Sequence, residues 1–234
     1  MLRCKWMGLA ENIAKVRENI ASAAQRAGRK QEEISLVAVS KTVDADMVEA
    51  AYREGLRCFG ENRVQEFLKK SEVLPKDIEW NLIGQLQTNK VKYIINNGVA
   101  LLHSLDRLSL AQELQKECLK KNAYLDVLIE LNIAKEESKS GLYLEQVDVF
   151  LDQIADFDRI RLKGFMTVAP YTDDRMYLRK IFAQAKALYD AKKKEFPGFQ
   201  YLSMGMSNDY EDAILEGSNM VRVGTAIFGS RIYK

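Results

Sequence analysis

Lys41 stands where an unbroken apolar run ends, in the segment LVAVSKT that covers residues 36–42. A lysine held against a dry surface loses hydration, so its neutral amine becomes available to attack a carbonyl carbon. Lys41 is therefore a candidate for a covalent bond to an aldehyde. The alternative is a lysine whose stem covers a strand end while its ammonium stays in water, and position alone favours that alternative.

Small and hydroxyl-bearing residues follow two later apolar runs, in SMGMSND at 203–209 and RVGT at 222–225. Barrel proteins hold phosphate groups with such turns after their seventh and eighth strands, where backbone amides and helix N-termini face the anion. Each motif also fits ordinary turn and cap chemistry, which is the favoured interpretation of either one alone.

Arg222 lies inside the last apolar run, between Val221 and Val223, and strand alternation makes it face the opposite side from both. An inward-facing guanidinium needs an acceptor such as a pyridine nitrogen or a carboxylate, whereas an outward-facing one would pair with an acid such as Glu211. The two orientations stay equally open. A lysine amine, a phosphate cradle and an arginine together match the aldehyde, phosphate and ring nitrogen of pyridoxal phosphate.

Eight short apolar runs that alternate with helical patterns must position these residues. The runs predict strands at 35–40, 57–60, 79–84, 101–104, 125–132, 160–167, 200–204 and 220–224. Eight strands alternating with helices predict a single (β/α)8 barrel, the TIM fold of the α/β class, which suits a chain of 234 residues. An open doubly wound sheet is the alternative, and the absence of a glycine-rich phosphate turn after the first run weakens it.

Apolar residues at helical spacing predict the helices. An extra N-terminal helix precedes the first strand and ends at Gly28, and we expect it to cover one end of the barrel. Val91, Ile94 and Ile95 predict a further helix that ends near Gly98.

The composition describes one domain over 1–234 without a linker or low-complexity segment. The 35 basic residues are scattered among 33 acidic ones, so a net charge of +2 leaves no basic surface for nucleic acid or a membrane. Three dispersed cysteines, Cys4, Cys58 and Cys118, form no CxxC pair and predict neither a metal site nor a disulfide framework. Since no export signal or membrane-spanning run is evident either, we expect a cytoplasmic protein. We also expect a monomer.

The chain resembles the pyridoxal-phosphate-binding homeostasis proteins, a family that shares the barrel of alanine racemase. The resemblance covers nearly the whole chain. It is carried by VAVSKT at 37–42, FGENRVQE at 59–66, WNLIGQLQTNK at 80–90, HSLDR at 103–107, NIAKEESKSG at 132–141, LSMGMSNDYEDAI at 202–214 and VRVGTAIFG at 221–229. It implies a barrel of the third fold type of pyridoxal phosphate proteins, without the second β domain.

The resemblance also implies a role for each matching residue. Lys41 would carry the cofactor as an internal aldimine, Asn62 would lie beside the ring, and Arg222 would face the pyridine nitrogen. An arginine there leaves that nitrogen unprotonated, so the ring becomes a weaker electron sink. The phosphate would be held by Ser203, Met206, Ser207, Gly224 and Thr225.

Three further residues bear on the site. Asn81 replaces the histidine that many family members carry, and strand alternation suggests an outward or supporting position for it. His103 is the single histidine in the chain, and a hydrogen-bonded structural role is the favoured interpretation over a site role. Lys139 lies in the loop after the fifth predicted strand, where it is either close to the cofactor or a solvated loop lysine. The solvated loop lysine is the favoured interpretation.

Three functions compete. The first is a non-enzymatic carrier or buffer of pyridoxal 5′-phosphate that serves vitamin B6 homeostasis and passes the cofactor to apoenzymes. The second is an amino-acid racemase, which needs a second base opposite the lysine; the ten residues after Gly224 leave no room for a domain to supply it, and nothing argues for Tyr171 or His103 instead. The third is a colourless aldolase that uses Lys41 without a cofactor.

Overall fold

The computed structural model describes residues 8–229, in which eight parallel strands form a closed barrel in chain order. The predicted (β/α)8 barrel is therefore confirmed and the open sheet is wrong. The strands are β1 Ser35–Val39, β2 Cys58–Glu61, β3 Glu79–Leu82, β4 Val99–Leu105, β5 Leu125–Leu131, β6 Ile160–Thr167, β7 Tyr201–Ser203 and β8 Met220–Val223. Closure occurs where β1 pairs with β8, a register that places Val37 opposite Arg222.

In the described part of the chain, eight α-helices accompany the strands. They are α1 Leu9–Arg26, α2 Ala45–Arg53, α3 Val64–Val73, α4 Leu108–Lys120, α5 Val147–Gln153, α6 Arg175–Glu195, α7 Tyr210–Leu215 and α8 Thr225–Phe228. Within 8–229, none of them is both long and apolar enough to cross a membrane.

The helix predicted to end near Gly98 is wrong as an α-helix. The segment between β3 and β4 is a 3-10 helix, Thr88–Tyr93, and its bonds join residues three apart, as from Ile94 N to Val91 O. Apolar residues three apart stack on one side of a 3-10 helix, so Val91 and Ile94 produce the same apolar pattern as one turn of an α-helix.

The core has an inner and an outer layer. Inside the barrel, Val37, Leu128 and Met166 pack together, and the outer layer buries the apolar sides of the helices against the strands. Helix α1 buries its apolar side in that outer layer, in contact with α7 and α8. Arg17 and Ile20 of α1 also line the space at the amino ends of the strands, so α1 borders that end, and its expected place over one end of the barrel stays a prediction.

Candidate functional site

A cavity of about 310 Å³ lies at the carboxyl ends of the strands. Its volume is at the lower end of the range for small-molecule sites, and this is the barrel end at which functional groups gather. A larger space of about 640 Å³ lies at the amino ends of the strands. Six of the eight predicted site residues line the smaller cavity: Lys41, Met206, Ser207, Arg222, Gly224 and Thr225.

Lys41 follows β1 in a strained turn. The next residue, Thr42, has a φ of 64°, a left-handed conformation that is rare for a β-branched residue. Its amide N–H donates to Glu66 Oε2 on α3 at 2.8 Å, which ties the turn to the neighbouring helix. Strain of this kind costs roughly 1–3 kcal/mol and concentrates at functional sites.

A buried ion pair between Lys70 and Glu61 is hydrogen-bonded to this turn. Lys70 Nζ lies 2.6 Å from Glu61 Oε1 and donates to the carbonyl of Ser40, next to Lys41, at 2.7 Å. Ser40 Oγ also donates to Glu61 Oε1, while Glu61 Oε2 is buried without a hydrogen-bond partner. Burial raises the pKa of Glu61, and the charge and hydrogen bond of Lys70 oppose that rise. The Glu61–Lys70 ion pair was not predicted from the sequence. The only feature of the sequence that points to it is a carboxylate at the end of an apolar strand.

Arg222 points into the barrel, which decides between the two predicted orientations. Its Nη1 donates to Ser203 Oγ at 2.7 Å and its Nη2 donates to the Thr167 carbonyl at 2.9 Å. The proposed outward partner, Glu211, pairs with Arg26 instead. Burial lowers the pKa of Arg222 to about 10, so the guanidinium stays charged at neutral pH.

The turns after β7 and β8 meet at Ser207. Its Oγ accepts from the amide N–H of Gly224 at 3.3 Å and of Ala226 at 3.4 Å. A Cβ at Gly224 would lie only 3.2 Å from Val39 O, so the close approach of β8 to β1 favours glycine there. We call Ser207, Gly224 and Thr225 the anion cradle, because the Ser207 hydroxyl keeps its own proton to donate and Thr225 brings a second hydroxyl to the lining of the same cavity.

Ser203 and Asn62 do not line the cavity. Ser203 is fully buried, and its hydroxyl contacts Arg222 and His103, so its predicted contact with a phosphate stays a prediction. Asn62 is half-buried, and its backbone packs tightly against Gly84. A Cβ added at position 84 would lie 2.4 Å from Asn62 O. Its place beside a ring also stays a prediction.

His103 and Asn81 both lie inside the barrel. His103 is fully buried, with Nε2 at 2.8 Å from Asn81 Oδ1 and Nδ1 at 3.2 Å from Ser203 Oγ, in agreement with the structural role predicted for it. Asn81 is buried, so its outward position is wrong, and its supporting position stays a prediction. Lys139 is half-buried and only partly solvated, because its ammonium contacts Glu136 and the carbonyl of Ala169.

Tyr171 lines the cavity at its mouth with 94% of the residue exposed. Pro170 and Ile83 also line the cavity. They were not predicted as site residues, because only their place near the end of a strand distinguishes them in the sequence. Within 8–229, no group of three His, Cys, Asp or Glu side chains is placed to bind a metal ion, and Cys58 and Cys118 form no disulfide. Cys4 lies outside the described residues.

Residues 12–232 match the family model for the alanine racemase N-terminal domain. The chain is 43% identical over 229 residues to the pyridoxal phosphate homeostasis protein of Aquifex aeolicus, covering 97% of this chain and 100% of the relative. It is 40% identical to the protein of that name in Escherichia coli K12, covering 96% and 97%.

Two solved structures show the fold. PipY of Synechococcus elongatus PCC7942, solved with PLP bound, has a TM-score of 0.81 and 30% identity, with 94% of this chain and 100% of that chain covered. Alanine racemase from Corynebacterium glutamicum has a TM-score of 0.68 and 18% identity, with 92% of this chain and 60% of that chain covered. The second likeness concerns the fold alone.

Proposed function

This chain belongs to the family of pyridoxal phosphate homeostasis proteins, which is built on the alanine racemase N-terminal domain, and we propose that it binds pyridoxal 5′-phosphate as a carrier or buffer. The observation that carries the proposal is that an amine, a guanidinium and an anion cradle line one cavity. Vitamin B6 homeostasis is the process this binding serves. PLP-dependent apoenzymes are the proposed recipients.

The residues fit the cofactor group by group. When bound, the cofactor supplies an aldehyde that a lysine amine can capture and a pyridine ring that withdraws electrons. Lys41 provides the amine, and the Ser207, Gly224 and Thr225 cradle receives the phosphate. Arg222 keeps its proton at neutral pH and donates a hydrogen bond, so it leaves the ring nitrogen unprotonated. This arrangement suits holding the cofactor better than turning over a substrate.

A racemase would need a second base opposite Lys41. His103 is fully buried among interior residues, and burial together with the charge of Arg222 holds its pKa well below the ordinary value. Tyr171 is surrounded by solvent at the mouth. We therefore propose a binding role without turnover. We also propose that the protein acts in the cytoplasm as a monomer, with no nucleic-acid or membrane partner. Sustained production of D-isomers from L-amino acids would overturn this choice.

Trapping the cofactor tests the binding site. The purified protein should develop visible absorption when pyridoxal phosphate is added, and borohydride followed by peptide mass spectrometry should find the cofactor on Lys41. Lys41→Ala should abolish trapping, whereas the matched loop variant Lys139→Ala should retain it. A protein that stays colourless, or cofactor trapped mainly on another lysine, would contradict the proposal.

Cofactor transfer tests the carrier role. The loaded protein is mixed with an apoenzyme while free pyridoxal phosphate is captured by a competing amine. A carrier should activate the apoenzyme faster than the same amount of free cofactor under these conditions. Equal rates would leave binding in place and overturn the carrier role.

A further inference from the structure

A line of hydrogen bonds crosses the barrel interior from Cys58 on β2 to Arg222 on β8. Asn81 Nδ2 donates to Cys58 Sγ at 3.0 Å, and Asn81 Oδ1 lies 2.8 Å from His103 Nε2. His103 Nδ1 lies 3.2 Å from Ser203 Oγ, which accepts from Arg222 at 2.7 Å. One end of the line lies in the amino-end space and the other in the carboxyl-end cavity.

The Arg222 end fixes the direction of the bond between Arg222 and Ser203. A guanidinium carries no acceptor, so Arg222 must donate to Ser203 Oγ. The hydroxyl of Ser203 then has its own proton to donate, and His103 Nδ1 is the nitrogen within reach. An unprotonated Nδ1 would accept that proton, but a hydroxyl oxygen can also accept a second hydrogen bond, so the tautomer is decided at the Asn81 end.

The Asn81 end decides the tautomer of His103. Asn81 Nδ2 contacts the carbonyl oxygen of Glu79 at 3.1 Å, and a carbonyl can only accept. The amide is thus oriented with Oδ1 toward His103, and Oδ1 requires a proton on Nε2. The Asn81 end and the full burial of His103 assign a neutral imidazole in the Nε2–H tautomer, in agreement with the downward shift of its pKa, and Nδ1 is then the acceptor for the Ser203 hydroxyl.

We propose that His103 and Asn81 are positioning residues for Arg222. By accepting a hydrogen bond from the Ser203 hydroxyl, His103 turns the Ser203 lone pairs toward Arg222 and fixes the plane of the guanidinium. Asn81 holds His103 in the tautomer that can accept this bond. The role of this alignment in presenting Arg222 to a pyridine nitrogen rests on the proposed function. The alignment itself does not.

The single histidine of the chain allows a direct test. In protein labelled with ¹⁵N-histidine, one imidazole gives the signals, and its two nitrogen shifts report the tautomer. We expect the Nε2–H form alone, unchanged from about pH 5 to about pH 9, with and without pyridoxal phosphate. An Nδ1–H form, a mixture, or titration within this range would overturn the proposal.

Variants test whether the line acts on the cofactor. His103→Leu removes both hydrogen bonds, whereas His103→Gln keeps one donor and one acceptor. We expect about tenfold weaker binding of pyridoxal phosphate and a shifted visible band for the leucine variant, the size of one lost hydrogen bond, with recovery in the glutamine variant. Met166→Leu, buried in the same interior outside the line, is the packing control and should match the wild type.

The outcomes separate the two proposals. If the wild-type protein does not bind pyridoxal phosphate, the proposed function fails, while the ¹⁵N shifts still decide the alignment. If it binds and His103→Leu matches Met166→Leu in affinity and visible band, the positioning role is refuted. Equal losses in the leucine and glutamine variants would also refute it, since they indicate a packing role. Should His103→Leu fail to fold, the wild-type ¹⁵N shifts and the glutamine variant carry the test.

Discussion

Replacing Lys70 with methionine would leave the Glu61 carboxylate buried without its ion-pair partner. Glu61 is fully buried, the side chain of Lys70 is 8% exposed, and the two charged atoms lie 2.6 Å apart. Breaking such a pair from one side costs about 3–5 kcal/mol, because an uncompensated charge remains in the interior. Since a domain is stable by only about 5–15 kcal/mol, Lys70→Met should lose a large share of its free energy of unfolding.

The penalty should depend on pH. Burial raises the folded pKa of Glu61 above the ordinary value of 4.5, and removal of Lys70 takes away a charge that opposes this rise. A carboxyl with a raised folded pKa contributes most stability when protonated and loses it as pH rises through that pKa. The cost of Lys70→Met should therefore be largest at neutral pH and shrink toward about pH 4.5.

Urea unfolding at several pH values measures this effect. Lys69→Met, at the exposed neighbouring lysine, is the matched control and should change stability by less than about 0.5 kcal/mol. The double variant Lys70→Met with Glu61→Gln should recover part of the loss, because no charge is then buried. If Lys70→Met costs no more than Lys69→Met at neutral pH, the ion pair does not stabilise the turn that carries Lys41.

Three further variants probe the site and its surroundings. Arg222→Glu should shift the visible band of the loaded protein, because a carboxylate favours a protonated ring nitrogen; an unchanged band would mean that Arg222 does not face the ring. Thr42→Gly should stabilise the protein by about 0.5–1 kcal/mol in urea unfolding, because glycine adopts a φ of 64° without strain. Burial and the charge of Asp106 raise the pKa of Glu130 to about 7, so the wild type should lose about 2–3 kcal/mol as pH rises from about 4.5 to about 7. Glu130→Gln should remove that loss, and equal pH profiles for the two proteins would refute the shift.

Much of the architecture was predictable because it depends on local patterns. Short apolar runs bounded by helical periodicity identified eight strands, and the rule that parallel strands carry function at their carboxyl ends selected Lys41 and the Ser207, Gly224 and Thr225 turns. The same local reasoning misread the segment at Val91, because a 3-10 helix and an α-helix share apolar residues three apart.

Local patterns did not fix the orientation of Arg222 or the partners of the buried polar groups. The closure of the barrel fixed them. Strand alternation placed Arg222 opposite its neighbours without saying which side was inside; only the pairing of β8 with β1 turned it toward Thr167. The bond between Ser203 and His103 joins residues 100 apart in sequence, and the Glu61–Lys70 pair needs a helix to return over its own strand. Buried polar groups take whichever partner the fold brings near, since leaving them unpaired costs too much. The sequence by itself therefore determined where Lys41 stands, and the tertiary structure decided which polar groups hold the turn of Lys41 and the side chain of Arg222 in place.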